Sequence, residues 1–294
     1  MSVLDHIGRT PLVKLERASP NPGVAIWAKL ELANPSGSLK DRIALYMIEQ
    51  AEQRGELRPG VTIIEATSGN TGIALGMVAA VKGYKLKLFM LESKTIERRK
   101  LLRHWGADLE LTTKDDPDSH IWGAQALAER EPERVYYINQ NENEDNVWAH
   151  YHGTGREIAE ELDGRVDAFV TGFGTGGSLV GVGRYFRDQG IDAEIVAVEP
   201  ATSKEGIDGL KSSAEKYQPK IYDRSFITAT ETVTGPEAIA ATRAIAKKEG
   251  ILAGISSGAQ LLAAQRVASR MERGNLVVLF CDRGERYFST DVFA

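Results

Sequence analysis

Ala168-Phe-Val-Thr-Gly-Phe-Gly-Thr-Gly-Gly-Ser178 reads as a short apolar strand running into a glycine-rich turn, and an amphipathic helix over 179–188 follows. Another apolar run, 194–199, comes after that helix. Strand, crossover helix and strand make a βαβ unit, whose strands are parallel. The same alternation extends in both directions. Runs at 25–29, 61–65, 86–91, 108–111, 135–138, 226–231 and 276–281 read as strands, and helical patterns cover 41–54, 71–82, 96–105, 119–130, 236–248 and 260–271. Short Val/Ile-rich strands between helices predict parallel sheets covered on both faces. The fold class is therefore α/β, and 294 residues predict two lobes rather than one core. Two stretches read as seams: the polar run Asn139-Gln-Asn-Glu-Asn-Glu-Asp-Asn146, and the aperiodic segment 201–224. A loop as long as the latter is more often functional than idle.

Composition narrows the class. Hydrophobic residues at 42 % and charged residues at 26 % are the mix of a globular domain. Forty-one acidic against 36 basic residues leave a net charge of −5, so the basic footprint that nucleic acids require is missing. One cysteine closes no intrachain disulfide and offers no thiolate cluster for a metal. No apolar run reaches the length of a membrane span, and Met1-Ser-Val-Leu-Asp-His-Ile7 shows no secretory pattern. A cytoplasmic enzyme acting on small molecules, with neither nucleic-acid nor membrane partner, is the expectation.

Three segments carry chemistry. Gly172-x-Gly174-x-x-Gly177 after a strand, with Glu199 some twenty residues on, satisfies the written dinucleotide fingerprint. Its physics is more general, since bare N–H groups at a helix N-terminus suit any phosphate. An NAD-dependent oxidoreductase and a plain tight turn stay open at this point. Asn34-Pro-Ser-Gly-Ser-Leu-Lys40-Asp-Arg42 sets a lysine at a loop-to-helix start, either a solvated charge or a nucleophilic amine. Ala66-Thr67-Ser68-Gly69-Asn70-Thr71-Gly72 clusters hydrogen-bonding residues at another helix start, beyond what N-capping needs, as an anion such as a carboxylate would require.

In this order the segments resemble the fold-type II pyridoxal-phosphate enzymes, whose architecture is that of the tryptophan synthase β chain. Within them the chain is most similar to the B-type cysteine synthases, or O-acetylserine sulfhydrylases. The likeness also includes Ile7-Gly-Arg-Thr-Pro-Leu-Val-Lys-Leu15, Gly254-Ile-Ser-Ser-Gly258 and Cys281-Asp-Arg-Gly-Glu-Arg-Tyr-Phe-Ser-Thr290, and so spans nearly the whole chain. It implies pyridoxal 5'-phosphate as cofactor, with Lys40 forming the Schiff base and moving the α-proton. Asn70 is implied to meet the ring oxygen, and Gly174, Thr175, Gly176, Gly177 and Ser178 the phosphate. Ser256 is implied to meet the pyridine nitrogen, and Thr67, Ser68, Thr71 and Gln140 the substrate carboxylate. A smaller, mobile, substrate-closing domain over 40–145 and a larger one over 1–39 plus 146–294 are expected, with the site in the cleft. The implied reaction is β-replacement on an O-activated L-serine, acetyl or phospho, by sulfide or thiosulfate, in a homodimer.

Departures from the pattern qualify the substrates. After Gln140 the family's aromatic residue and Asn-Pro pair give way to Asn141-Glu142-Asn143-Glu144, two carboxylates read here as solvated. The A-type signature is missing from 201–224, and where B-type relatives that take anionic substrates carry an arginine the nearest equivalent is Lys211. Lys211 is thus a candidate for an anionic substrate, as a point charge rather than a fork. Cystathionine β-synthase-like and serine/threonine dehydratase-like chemistry are the alternatives on this scaffold, and a non-catalytic binding homologue conflicts with the presence of Lys40, Asn70 and Ser256. Cys281, at the end of an apolar run, reads as a buried small residue, and His150, His152 and His104 as packing or surface groups.

Overall fold

The computed structural model describes residues 1–67, 69–92, 96–113, 115–116 and 118–293, without the side chains of 96–98. Its strands and helices run β1 (Leu12–Lys14), β2 (Val24–Lys29), α1 (Lys40–Gln53), β3 (Thr62–Ala66), α2 (Asn70–Lys82), β4 (Lys85–Leu91), α3 (Ile96–His104), β5 (Asp108–Thr112), α4 (Ser119–Arg130) and β6 (Val135–Tyr137). They continue with α5 (Asp145–Ala149), α6 (Arg156–Glu161), β7 (Ala168–Gly172), α7 (Gly177–Asp188), β8 (Glu194–Pro200), β9 (Ala229–Val233), α8 (Gly235–Glu249), α9 (Ile255–Arg270) and β10 (Gly274–Leu279). Among the described residues no helix is long and apolar enough to cross a membrane.

The chain divides into two compact units: Met1–Ile7 with Lys40–Asp145, and Gly8–Leu39 with Asn146–Ala294. The seven N-terminal residues thus group with the first unit, where the sequence reading put them with the second. Their short turn, Val3–His6, closes on itself through a Ser2–Asp5 capping box and buries nothing. The second unit takes hold at Gly8, whose N–H bonds Asn34, and at Arg9, whose N–H bonds Glu157.

In the first unit four parallel strands run in the order β5-β4-β3-β6. Central β3 is buried at every residue after Thr62. On α1 the apolar residues Ile43, Ala44, Met47, Ile48 and Ala51 fall on one buried stripe, as a 3.6-residue period requires. Helix α2 is buried on nearly all sides, and Gly83, at φ +80°, ends it in the left-handed region.

The second unit holds six strands in the order β1-β2-β10-β7-β8-β9, all parallel neighbours except β1 against β2. Alternation along the strands sorts side chains onto two faces. Leu276, Val278, Ala168, Val170, Val196 and Val198 pack with Ala259, Ala263 and Val267 of α9. Val277, Leu279, Phe169, Ile195 and Ala197 pack with Ile158 of α6 and Leu179, Val182 and Phe186 of α7. Both faces are dry, the expected condition for a parallel sheet. At the end of β2 the fully buried Lys29 lies 3.0 Å from Glu157, also pairs with Glu161, and donates to the Thr10 carbonyl at 2.7 Å.

Among the elements that differ from the sequence expectation, three are instructive. Strand β1 is only three residues long and carries no period to read. Strand β9 starts at Ala229, because Asp223 accepts the Ser225 N–H and turns Arg224–Phe226 into a 3-10 helix. Between α5 and α6 a π-helical segment, His150–Gly155, keeps the chain helical where no helix was expected. Glycines 153 and 155 had masked the pattern there.

Candidate active site

In the first unit the candidate residues gather at the carboxyl ends of β3 and β6, the end at which parallel sheets bind ligands. Thr67 ends the ladder with its N–H on the Phe89 carbonyl at 3.0 Å, and Asn70 opens α2 directly after Gly69. The Thr71 hydroxyl donates to Gln140 Oε1 at 2.7 Å, and both residues are buried. Ser68 lies outside the described residues. Thr71 and Gln140 therefore form one polar cluster at a helix N-terminus, with Thr67 at its strand side. Lys40 is half-buried as the first residue of α1.

Glu65, which sequence reasoning missed, stands behind this cluster. Fully buried at the end of β3, it accepts the Ala66 N–H at 2.8 Å and the Gln140 N–H at 3.1 Å. Burial pushes its carboxyl up to about 7, while the Gln140 and Ala66 N–H groups, the Lys40 ammonium and the Asn139 N–H pull the other way. Lys40 is thus within electrostatic reach of the residue that holds Gln140. A glutamate at the tip of an apolar run gives no sign of this in one dimension.

In the second unit the turn between β7 and α7 has no room for a Cβ at its glycines. A Cβ on Gly174 would sit 2.7 Å from the Gly209 carbonyl, and one on Gly177 would sit 2.1 Å from Asn146 Oδ1. Gly176, at φ +87°, takes a conformation that only glycine adopts cheaply. Asn146 was also missed, because the polar seam containing it reads as solvated loop. It is fully buried, and its Nδ2 donates to Thr175 Oγ1 at 3.1 Å, which in turn accepts the Gly177 N–H at 3.4 Å. Ser178 is buried in the first turn of α7.

The segment after β8 folds onto this turn. The Lys211 N–H donates to the Phe173 carbonyl at 2.7 Å, and the Tyr222 ring stacks on Phe173 with centroids 4.1 Å apart. Glu199, the acidic residue of the apparent dinucleotide fingerprint, accepts both the N–H and the hydroxyl of Ser213, at 2.8 and 2.9 Å. It anchors the segment to β8, and its charge, after burial, raises the Tyr222 phenol above its ordinary value. The Lys211 ammonium lies 3.6 Å from Glu215 and over the Tyr217 ring.

Ser256 is buried in the first turn of α9. Gln260 accepts from the Thr171 hydroxyl at 3.1 Å and donates to the Ser256 carbonyl at 2.9 Å, so one amide joins the end of β7 to the Ser256 turn. The same amide donates to Cys281 Sγ at 3.1 Å, and Cys281 is half-buried rather than buried as expected. His150 is buried against Thr154, His152 stacks on Trp148, and His104 is exposed. Glu144 is exposed and Glu142 half-buried.

A turn whose glycines leave no room for a Cβ, opening a helix, fits a phosphate. A half-buried lysine in the unit that holds the polar Thr71–Gln140 cluster fits an aldehyde cofactor that accepts amines, so the residues present fit pyridoxal phosphate. Residues 3–282 match the model of the family described as "Pyridoxal-phosphate dependent enzyme". The chain belongs to this family. Within it the chain is of the cysteine synthase B type. It is 44 % identical to cysteine synthase B of Salmonella typhimurium and of Escherichia coli, in each case over all of this chain and 96 % of the relative. Among solved structures, O-ureido-L-serine synthase superposes with a TM-score of 0.93 at 40 % identity, over 99 % of this chain and 94 % of that one. An O-acetylserine sulfhydrylase of Entamoeba histolytica superposes with a TM-score of 0.94 at 35 % identity, over 99 % and 91 %. As a pyridoxal-phosphate enzyme, the chain has no need of a ribose-binding acid, consistent with Glu199 holding Ser213.

Proposed function

We propose that this enzyme catalyses β-replacement on an O-activated L-serine, acetate or phosphate leaving and sulfide or thiosulfate entering, to give L-cysteine or its S-sulfo derivative. The observation that supports the reading is in the first unit: the Thr71 hydroxyl and the Gln140 amide meet at the start of α2, as a carboxylate site would need, and Lys40 acts electrostatically on the glutamate that holds Gln140.

When bound, pyridoxal phosphate supplies a carbonyl carbon for amines and a conjugated ring that withdraws electrons from the α-carbon. Lys40 would hold the group through Nζ, Asn70 would bond its ring oxygen, and the N–H groups and hydroxyls of Gly174–Ser178 would bond its phosphate. Ser256 would present a neutral hydroxyl to the ring nitrogen, and a hydroxyl there would make the ring a weaker electron sink than a carboxylate partner would. That favours elimination, in which the leaving group takes the electrons. Thr67, Ser68, Thr71 and Gln140 orient the substrate by its carboxylate. Lys40, as the neutral amine, takes the α-proton at Nζ, the general-base step. Lys211 adds a cation for an anionic leaving group or sulfur donor. Placement in the cytoplasm and pairing as a homodimer belong to the same reading.

The purified protein is expected to be yellow, to elute as two copies, and after borohydride to carry the reduced cofactor on the peptide containing Lys40. Lys40→Ala should lower turnover of O-acetylserine with sulfide by about a thousandfold or more. A colourless protein that binds NAD overturns the reading.

A further inference from the structure

Glu65 has no task in the chemistry above, and its setting is unusual for a carboxylate. It occupies the central strand of a four-stranded parallel sheet, level with Leu88 of β4, and is fully buried. An ionisable group in such a place destabilises the fold unless it is fully bonded. Here the bonding comes from the main chain. Oε1 accepts the Ala66 N–H, Oε2 accepts the Gln140 N–H, and the Asn139 N–H is directed at the same carboxylate.

The loop after β6 is shaped to deliver those N–H groups. Asn139 has φ +49°, a left-handed conformation that asparagine tolerates better than most residues. The turn is then closed by the Glu142 and Asn143 N–H groups on the Asn139 carbonyl, both at 3.0 Å, and by the Asn143 side chain on the Ile138 carbonyl at 3.0 Å. Successive main-chain N–H groups converging on one anion form a nest. From Gln140 the chain of bonds continues outward. Its Oε1 accepts the Thr71 hydroxyl, which fixes the orientation of the amide with Nε2 as its donor end.

We propose that Glu65 is a positioning residue of the amino-acid site: by holding the Gln140 main chain, and through Gln140 the Thr71 hydroxyl, it presents the Gln140 amide N–H to the α-carboxylate of the substrate. The inference rests on the reading that Gln140 binds that carboxylate. A carboxylate suits the position because both oxygens accept. A glutamine there would turn its NH2 against one of the N–H groups it must bond.

The test compares L-serine, which has no good leaving group, with ethanolamine, which has no carboxylate. Binding to the holoenzyme is read from the change in cofactor absorbance and by calorimetry. Glu65→Gln is expected to weaken L-serine about ten-fold, to change ethanolamine less than about two-fold, and to keep the cofactor content. With O-acetylserine the loss should appear in KM rather than in kcat. Combined with Gln140→Ala, Glu65→Gln should add nothing further, since the two act as one. Equal weakening of both ligands, an unchanged L-serine affinity, or additive effects in the double variant would each overturn the proposal. If Glu65→Gln does not fold, Thr71→Val takes its place. It should weaken L-serine in the wild type and not in the Gln140→Ala background, and additivity there overturns the proposal equally. A wild-type protein that binds neither cofactor nor L-serine overturns the functional reading itself, before any variant is compared.

Discussion

Lys29 and Glu65 occupy matching places in the two units, each fully buried at the carboxyl end of a strand, yet they are satisfied by opposite means. Lys29 meets two carboxylates and a carbonyl, so its charge is neutralised on the spot. Glu65 is held by main-chain N–H dipoles, with the Lys40 ammonium acting on it electrostatically, so its charge is solvated chiefly by the backbone. A neutralised pair fixes one packing arrangement and does little else. A buried carboxylate held by main-chain N–H groups ties the end of β3 to the loop after β6. The first belongs to the architecture of the second unit, and the other to the site proposed for the first.

The contrast can be broken at several points. Lys29→Met should have the largest effect, about 3 kcal/mol lost in denaturant unfolding, because Glu157 is left buried without its partner. Replacing Glu157 by Gln as well should recover part of the loss, and KM should stay unchanged in both variants. A KM change in Lys29→Met would remove the distinction between Lys29 and Glu65.

Glu65 should show a comparable effect that depends on pH. Its carboxyl is raised from 4.5 to about 7 in the folded protein, so folding favours the protonated form. The associated stability is fully present below pH 4.5, fades as pH rises, and is gone above about 7, a change of about 3 kcal/mol. Unfolding curves of wild type and Glu65→Gln should therefore diverge by that amount between pH 4.5 and 8, with the Lys40 charge opposing part of the shift. Parallel curves would place Glu65 with Lys29. The smallest effect is expected at Lys211→Ala. Its ammonium is partly exposed and 3.6 Å from Glu215, so stability should change by less than about 0.5 kcal/mol. Only the preference among acetyl, phospho and thiosulfate substrates should move, and an unchanged preference would exclude Lys211 from substrate binding.

The sheets were largely legible because buried parallel strands are continuous apolar runs, and Ile63-Ile64 or Val277-Val278 read the same in one dimension as in three. Motif residues were legible for a related reason: helix N-termini that bind anions need small and hydroxylated residues close together in sequence. What stayed hidden depends on long-range partners. Glu65 bonds Gln140, 75 positions away, and Asn146 bonds Thr175, 29 positions away. Glu199 shows the converse. Its spacing from the glycines fitted a ribose, and only the fold reveals that Ser213 is what it holds.

The π-helical segment His150–Gly155 fixes how α6 is phased relative to α5. A π turn holds one residue more than an α turn allows, so the segment works as a spacer of a single residue. Removing one residue from 150–155 would let the helix regain its usual winding and, because the π turn has already absorbed the extra residue, would leave the phase of everything beyond it nearly unchanged. Adding one would instead rotate it by about 100°, and Glu157 and Glu161 would swing away from Lys29, while Asn146, before the spacer, would keep its hold on Thr175. The chain in this stretch should accept the loss of one residue far more readily than the gain of one.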